Sequence, residues 1–338
     1  MNIPFIDLRS QYEKHKSAID EAIQNVLTHG QYIMGPEVSE LESQLSEYLD
    51  VKHTIACSSG TDALLLPLMT KKLTKSCAVF TTPFTFFASA ESISLSGATP
   101  VFVDIDPHTF NICPDALEKS IQATINQGKL VPKGILAVDL FGLSAEYKKL
   151  ETIAKKYGLF LIEDAAQGFG ANYHGDKAGS LGDIGATSFY PAKPLGCYGD
   201  GGAVFTDNTD AYEQMVSLRV HGQAMNGDKY DNVQIGLNAR MDTIQAAVLL
   251  QKLKHYDAEI VRRNDVAKLY TKTLNEYVKT PHIPEGQESV WAQYTIQVND
   301  RDKLKETLNL SGIPTAVFYP IPIPVSYTHL TLPTILLV

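Results

Sequence analysis

Polar and apolar residues alternate at helical spacing from Ser10 to Leu27, which predicts a helix that Gly30 ends. A loop follows from Gln31, and Pro36 opens a second helix expected to run to about Leu49. His53–Cys57 reads as a strand, Ser58–Thr61 as a turn, and Asp62 as the start of a helix. Small hydroxyl residues thus stand at a helix N-terminus, where an anion binds; plain capping by Ser or Thr is the alternative. Further strands are expected at Ala78–Thr82, Thr99–Asp104, Leu136–Asp139, Leu159–Asp164 and Ala203–Thr206, with helices running through Leu95 and from Ala145 to Tyr157. This alternation predicts an α/β protein with a mostly parallel sheet covered on both faces and a ligand at the strands' carboxyl ends. From about Thr243 a long helix runs toward Tyr256, after which the pattern changes. The remaining segments, including Trp291–Val298 and Thr315–Tyr319, read as strands and helices of a smaller domain, giving units over 1–242 and 243–324 and a tail over 325–338.

The 338 residues are 44% apolar, enough to bury a sizeable core. A net charge of -9 without a basic tract argues against nucleic acid as a partner. No apolar run reaches membrane-spanning length, and the first residues lack the regions of a signal peptide. Cys57, Cys77, Cys113 and Cys197 are scattered without metal-ligand spacing and read as free thiols of a cytoplasmic protein. The nine histidines form no paired cluster, so no metal is expected.

Ser188-Phe-Tyr-Pro-Ala-Lys-Pro-Leu-Gly196 holds a single lysine, Lys193, between two prolines in an uncharged run, followed by a Gly-rich stretch to Gly202. Most lysines sit on solvated faces; one held among small apolar neighbours loses basicity and becomes an amine nucleophile. Asp164 ends an apolar strand and is followed by Gln167; it reads as an N-cap or as a partner for a cationic ring nitrogen. Phe86 reads as core or as a stacking plate, and Gly60, Thr61 and Ser188 as helix caps or a phosphate cup. Lysine, acid, aromatic plate and phosphate cup together fit pyridoxal phosphate.

The ordered motifs Phe5–Leu8, Gly30–Glu37, Ser59–Leu64, Glu163–Gln167, Ser188–Lys193 and Gly236–Asp242 carry a family resemblance over Ile3 to about Pro324. The chain resembles the sugar aminotransferases of the DegT/DnrJ/EryC1/StrS family, which implies the fold-type I, aspartate aminotransferase-like fold. The resemblance implies that Lys193 forms the Schiff base and moves the proton, that Asp164 holds the pyridine nitrogen protonated, and that Gln167 contacts the ring oxygen. It places Phe86 over the ring, Gly60, Thr61 and Ser188 on the phosphate, and Asn238 on the phosphate of a partner's site across a homodimer interface. Arg240 is implied on a substrate carboxylate or phosphate, with Tyr319, Tyr32 and Gly30 near the substrate. L-glutamate as amino donor and a nucleotide-linked keto sugar as acceptor follow from the same resemblance. The run Lys193–Gly202 and the Tyr-Pro-Ile-Pro ending at Pro322 match the branch that aminates UDP-2-acetamido-2-deoxy-3-oxo-glucuronate for bacterial surface polysaccharides.

Three departures accompany the likeness. Leu66–Cys77 lacks the family's Gly-Asp-Glu turn, and Pro67 is expected to strain a helix in a surface connection, costing stability rather than activity. Phe318 stands where the branch more often has histidine. Val325–Val338 does not resemble the family's continuation and reads like a translated sequencing-library transposon end, so native coding is expected to stop near Pro324. A pyridoxamine-phosphate sugar dehydratase of the same family is the first alternative, disfavoured because those enzymes replace the lysine with histidine. A non-catalytic cofactor or sugar-nucleotide binder is disfavoured by the intact Lys193 and Asp164. A nicotinamide dehydrogenase is weaker still, because no strand leads into a dinucleotide glycine fingerprint.

Overall fold

A computed structural model of the chain describes residues 3–225, 228 and 230–326. The expected tail falls mainly on residues 327–338, which lie outside the described residues.

Helix α1 (Leu8–His29) begins where the Asp7 side chain accepts from the Ser10 N–H and ends at Gly30, whose φ of 74° suits glycine. Helix α2 (Pro36–Leu49) follows, with Val38, Leu41, Leu45 and Leu49 on its buried stripe. Next come β1 (His53–Cys57), α3 (Gly60–Thr70), β2 (Cys77–Thr81), α4 (Ala88–Leu95), β3 (Thr99–Phe102), α5 (Pro114–Gln127), β4 (Val131–Val138), α6 (Tyr147–Tyr157) and β5 (Phe160–Asp164). After two short strands, β6 (Asn172–Tyr173) and β7 (Asp176–Lys177), the chain adds β8 (Ile184–Ser188), β9 (Gly202–Thr206) and α7 (Thr209–Arg219). The remainder is α8 (Thr243–Leu253), α9 (Tyr256–Leu274), β10 (Gln287–Glu288), α10 (Arg301–Leu310) and α11 (Ile323–Ser326).

Seven strands form one sheet in the order β1-β9-β8-β5-β4-β2-β3. Only β9 runs against the others, pairing antiparallel with β1 and β8, so the remaining carboxyl ends share one edge. One face of β4 and β5 packs Leu136, Val138 and Ile162 toward α3, while the opposite face packs Ile135, Ala137 and Leu161 toward α5 and α6. Both faces being covered, the strands read as apolar runs rather than alternating ones.

Helix α8 shares a core with α2 and β9: Ala246, Leu249 and Leu250 lie among Leu41, Leu45 and Phe205. Strand β10 pairs with β6, so packing runs across the expected 242/243 boundary. Neither of the two named late segments is a regular strand or helix. Trp291 has φ 52°, which breaks the extended run, and among the described residues the stretch after it makes one bridge, from Gln297 to Lys279. Thr315–Tyr319 has no strand partner among the described residues; Phe318 and Tyr319 instead pack on the core beside α3. Pro67 also differs from expectation: it lies buried inside α3, not on a surface connection.

Candidate active site

The carboxyl edge of the sheet gathers the sequence-predicted residues. Asp164 closes β5 and is buried; its Oδ2 accepts from Ser89 Oγ at 2.8 Å and its Oδ1 from the Ala166 N–H at 3.2 Å. Burial pushes its carboxyl above the usual range, against the pull of Ser89, the Ala166 N–H and the charge of Lys193. The same burial lowers the Lys193 amine, and Asp164 partly restores it. The lysine and the acid therefore sense each other's charge inside the protein. The N-cap reading of Asp164 fails in one respect, since no helix follows it.

The lysine loop leaves β8 at Ser188 and returns as β9 at Gly202. Three polar side chains of α8 and α9 grip it. Lys252 donates to the Gly196 carbonyl, Gln245 accepts from the Tyr198 N–H at 2.9 Å, and Arg263 reaches the Pro194 carbonyl at 3.4 Å. Lys252 is itself buried, which lowers its amine to about 8. Sequence reasoning missed these three and Ser89. A lysine at the end of the apolar run Ala246–Leu250 was the available signal for Lys252.

Ser59 caps α3, accepting from the Asp62 N–H at 3.1 Å, so the capping alternative holds for that residue. Gly60 and Thr61 are then the first helical residues, whose N–H groups have no intrahelical acceptor. A Cβ on Gly60 would lie 2.5 Å from Ser188 Cβ and 3.0 Å from its Oγ. The absent side chain thus keeps the helix N-terminus open beside the Ser188 hydroxyl, an anion-binding arrangement.

Phe86 lies in the turn that delivers Ser89 to Asp164 and is 58% exposed, so it is not core. Gln167 is buried, its Oε1 accepting from the Phe141 N–H at 2.8 Å and its Nε2 donating to the Tyr319 hydroxyl at 2.9 Å. That bond and an edge-on contact of Tyr319 with Phe84 tie the late segment to the sheet's carboxyl edge. Asn238, exposed, accepts from Arg240 Nε at 3.0 Å. Their segment lies along the end of β1 through the Ser58 N–H to Ala239 carbonyl bond at 3.0 Å. Tyr32 joins it by backbone, its carbonyl accepting from the Thr243 N–H at 2.9 Å beside the Ile33–Asp242 bridge. Arg219 supports this corner by donating to Glu42 at 2.6 Å and to the Ala56 carbonyl at 2.8 Å.

The profile of the DegT/DnrJ/EryC1/StrS aminotransferase family matches residues 13–331. UDP-2-acetamido-2-deoxy-3-oxo-D-glucuronate aminotransferase of Pseudomonas aeruginosa is 44% identical, over 95% of this chain and 87% of that protein. A solved DegT DnrJ EryC1 StrS aminotransferase from Brucella abortus superposes with TM-score 0.95 at 48% identity, covering 98% of this chain and 88% of its own. NtdA from Bacillus subtilis, solved with bound cofactor PMP, superposes with TM-score 0.87 at 31% identity, covering 98% of this chain and 77% of its own. Aminotransferases of this family use pyridoxal phosphate. The residues at the sheet's carboxyl edge fit that group: a half-buried amine that feels the charge of a buried acid, and an open helix N-terminus beside a hydroxyl. By sequence and by fold alike, the chain belongs to the DegT/DnrJ/EryC1/StrS aminotransferase family.

Proposed function

We propose that the chain moves an amino group from L-glutamate to the keto carbon of a UDP-linked sugar of the 2-acetamido-2-deoxy-3-oxo-glucuronate type. The observation that carries the reaction is the gathering at the sheet's carboxyl edge of Lys193 and of a buried Asp164 held by Ser89 and the Ala166 N–H, beside the open N-terminus of α3. The sugar is supported by the name of the P. aeruginosa relative and its identity over 95% of this chain.

Pyridoxal phosphate, when bound, supplies an aldehyde carbon that takes up amines and a ring that accepts an electron pair. The chain's own residues do the rest. Lys193 would hold the group through its amine and would move a proton at the donor's α-carbon. Its burial favours the neutral amine that both tasks require. Asp164, oriented by Ser89 and the Ala166 N–H, holds a proton on the ring nitrogen. Gly60, Thr61 and Ser188 would hold the phosphate, with Phe86 and Gln167 as the residues that would meet the ring. Arg240 offers a planar fork to a carboxylate, with Tyr32 and Tyr319 completing the substrate side. With the keto sugar the same groups return the proton in the opposite direction.

In this reading the site is completed by a second copy. Tyr32, Ile33, Phe86 and Tyr190, all in site-forming segments, are exposed and leave apolar surface for it to cover. The partner's Asn238 then joins the phosphate cup. Free Cys57, Cys77, Cys113 and Cys197 suit a reducing compartment, and we assign the cytoplasm, with the product destined for a surface polysaccharide. The test supplies the protein with pyridoxal phosphate, glutamate and UDP- or dTDP-linked keto sugars. Release of 2-oxoglutarate that depends on the UDP-linked 3-keto uronate supports the assignment; release with dTDP sugars alone contradicts it.

A further inference from the structure

Behind Asp164, on the other face of the sheet, lie two more carboxyl groups. Side chains alternate along a strand, so Glu163 points away from Asp164, toward the face of Ala137 and Asp139. Asp139 follows the end of β4 and bonds by its N–H to the Asp164 carbonyl at 3.0 Å. Both Asp139 and Glu163 are fully buried, and as diagonal neighbours at the ends of β4 and β5 each acts on the other's proton.

Two neighbouring buried carboxyls do not both ionise, and the surrounding donors say which of them keeps a proton. Both Glu163 oxygens are taken by donors: Oε1 accepts from the Gly179 N–H at 2.6 Å and Oε2 from the Leu181 N–H at 2.7 Å. That is the setting of an ionised carboxylate. On Asp139, Oδ1 accepts from the Ala145 N–H at 3.0 Å and the Tyr147 hydroxyl at 2.9 Å, while Oδ2 receives no donor among the described residues. A buried acid oxygen without a donor is satisfied by carrying the hydrogen itself. Tyr147, from α6, and Glu163 are the titratable groups facing it, and Asp164 acts on Tyr147 from across the sheet. Burial, followed by the Glu163 charge, raises the Asp139 carboxyl well above its ordinary value.

We propose that Asp139 and Glu163 share one proton, carried on Asp139 Oδ2, and that the pair positions the Asp164–Gly168 turn. The geometry of that turn shows the dependence. A Cβ on Gly168 would collide with Asp139 Cβ and lie 3.0 Å from Oδ2, so the turn rests directly on this carboxyl. One residue earlier, Gln167 holds Phe141 and Tyr319. The pair thus fixes the strand ends from the face of the sheet opposite Asp164. This rests on the reading of Asp164 as the ring-nitrogen partner for its functional meaning, but not for the proton.

Infrared spectra of the full chain loaded with pyridoxal phosphate at neutral pH test the proton. A carboxylic-acid C=O band should shift with 13C-aspartate, stay with 13C-glutamate, and vanish in Asp139→Asn. A band that follows glutamate, or that survives Asp139→Asn with none lost, overturns it. The amide variants test the positioning. Asn donates where the protonated acid did, so Asp139→Asn should keep cofactor affinity within about threefold. Glu163→Gln sets an NH2 against a backbone N–H and should weaken cofactor binding about tenfold or more. It should also move the pH midpoint of the bound cofactor's visible band, which a merely structural role would leave in place. The reverse ranking, or a Glu163→Gln protein that loses only thermal stability, overturns the positioning. If Glu163→Gln does not fold, Asp139→Ala takes its place with the same expected shifts. Failure of cofactor binding in the wild type would refute the site reading and leave the infrared result to stand alone.

Discussion

At the scale of single residues, the site is built on charges held where water would otherwise hold them. Asp164 has a folded-state value raised by burial, so the folded protein binds its proton more tightly than the unfolded chain does. Stability from this group is present at low pH and is lost as pH rises through the raised value. Asp164→Asn removes that loss. The cofactor-free variant should gain about 1 kcal/mol over wild type near neutral pH, while its kcat should fall about 100-fold or more. Thermal melts across pH and steady-state rates check the two arms; equal stability at every pH would show that the carboxyl is not buried as described. A second residue-scale expectation concerns Gly60. Gly60→Ala places a methyl 2.5 Å from Ser188 Cβ, a separation atoms do not tolerate, so the helix must shift. About 1–3 kcal/mol of stability should go, with phosphate affinity falling more than tenfold by titration. Lys193 and Asp164 were legible because each breaks its surroundings: a lone charge between prolines, and an acid ending an apolar strand. Ser89 was not, because its partner Asp164 stands 75 residues on at the end of β5 and only the fold brings them together.

At the scale of elements, the lysine loop owes its place to α8 and α9. Lys252 is lowered to about 8 by burial, below the ordinary 10.5 of the unfolded chain. Between those values the unfolded chain binds the extra proton, so stability rises with pH across that window, by up to about 1.4 kcal/mol per unit. Lys252→Met should abolish that rise and, by freeing the Gly196 carbonyl, lower kcat more than it raises KM. Denaturant titrations at several pH values decide it; an unchanged slope would place the Lys252 amine in water. Pro67 interrupts α3 from inside, where it has no N–H to offer. Pro67→Ala should raise stability by about 1 kcal/mol in a melt and leave the reaction rate alone. The elements with strong periodicity, α1, α2 and β1, were readable to within a few residues. Strand β8, Ile-Gly-Ala-Thr-Ser, was not, since its small residues owe their strand to the neighbours β5 and β9. Residues 291–298 carry strand-forming side chains but find no sheet edge, which local propensity does not report.

At the scale of the whole molecule, the matched family profile and the superposed structures settle the fold, and the proposed function asks for two copies of it. An equimolar, randomly exchanged mixture of two inactive variants, Lys193→Ala and Asn238→Ala, should regain about a quarter of wild-type activity if each site draws on both chains, because half the dimers are mixed and one of the two sites in each is intact. No recovery in verified mixed dimers would confine each site to one chain. The most direct test of the account is the visible spectrum of the protein with pyridoxal phosphate, before and after L-glutamate, beside Lys193→Ala. A band from the lysine-linked cofactor that glutamate bleaches and a keto sugar restores is expected, with no such cycle in the variant. Folded protein that gives no lysine-linked band, or one that glutamate leaves unchanged, would contradict it.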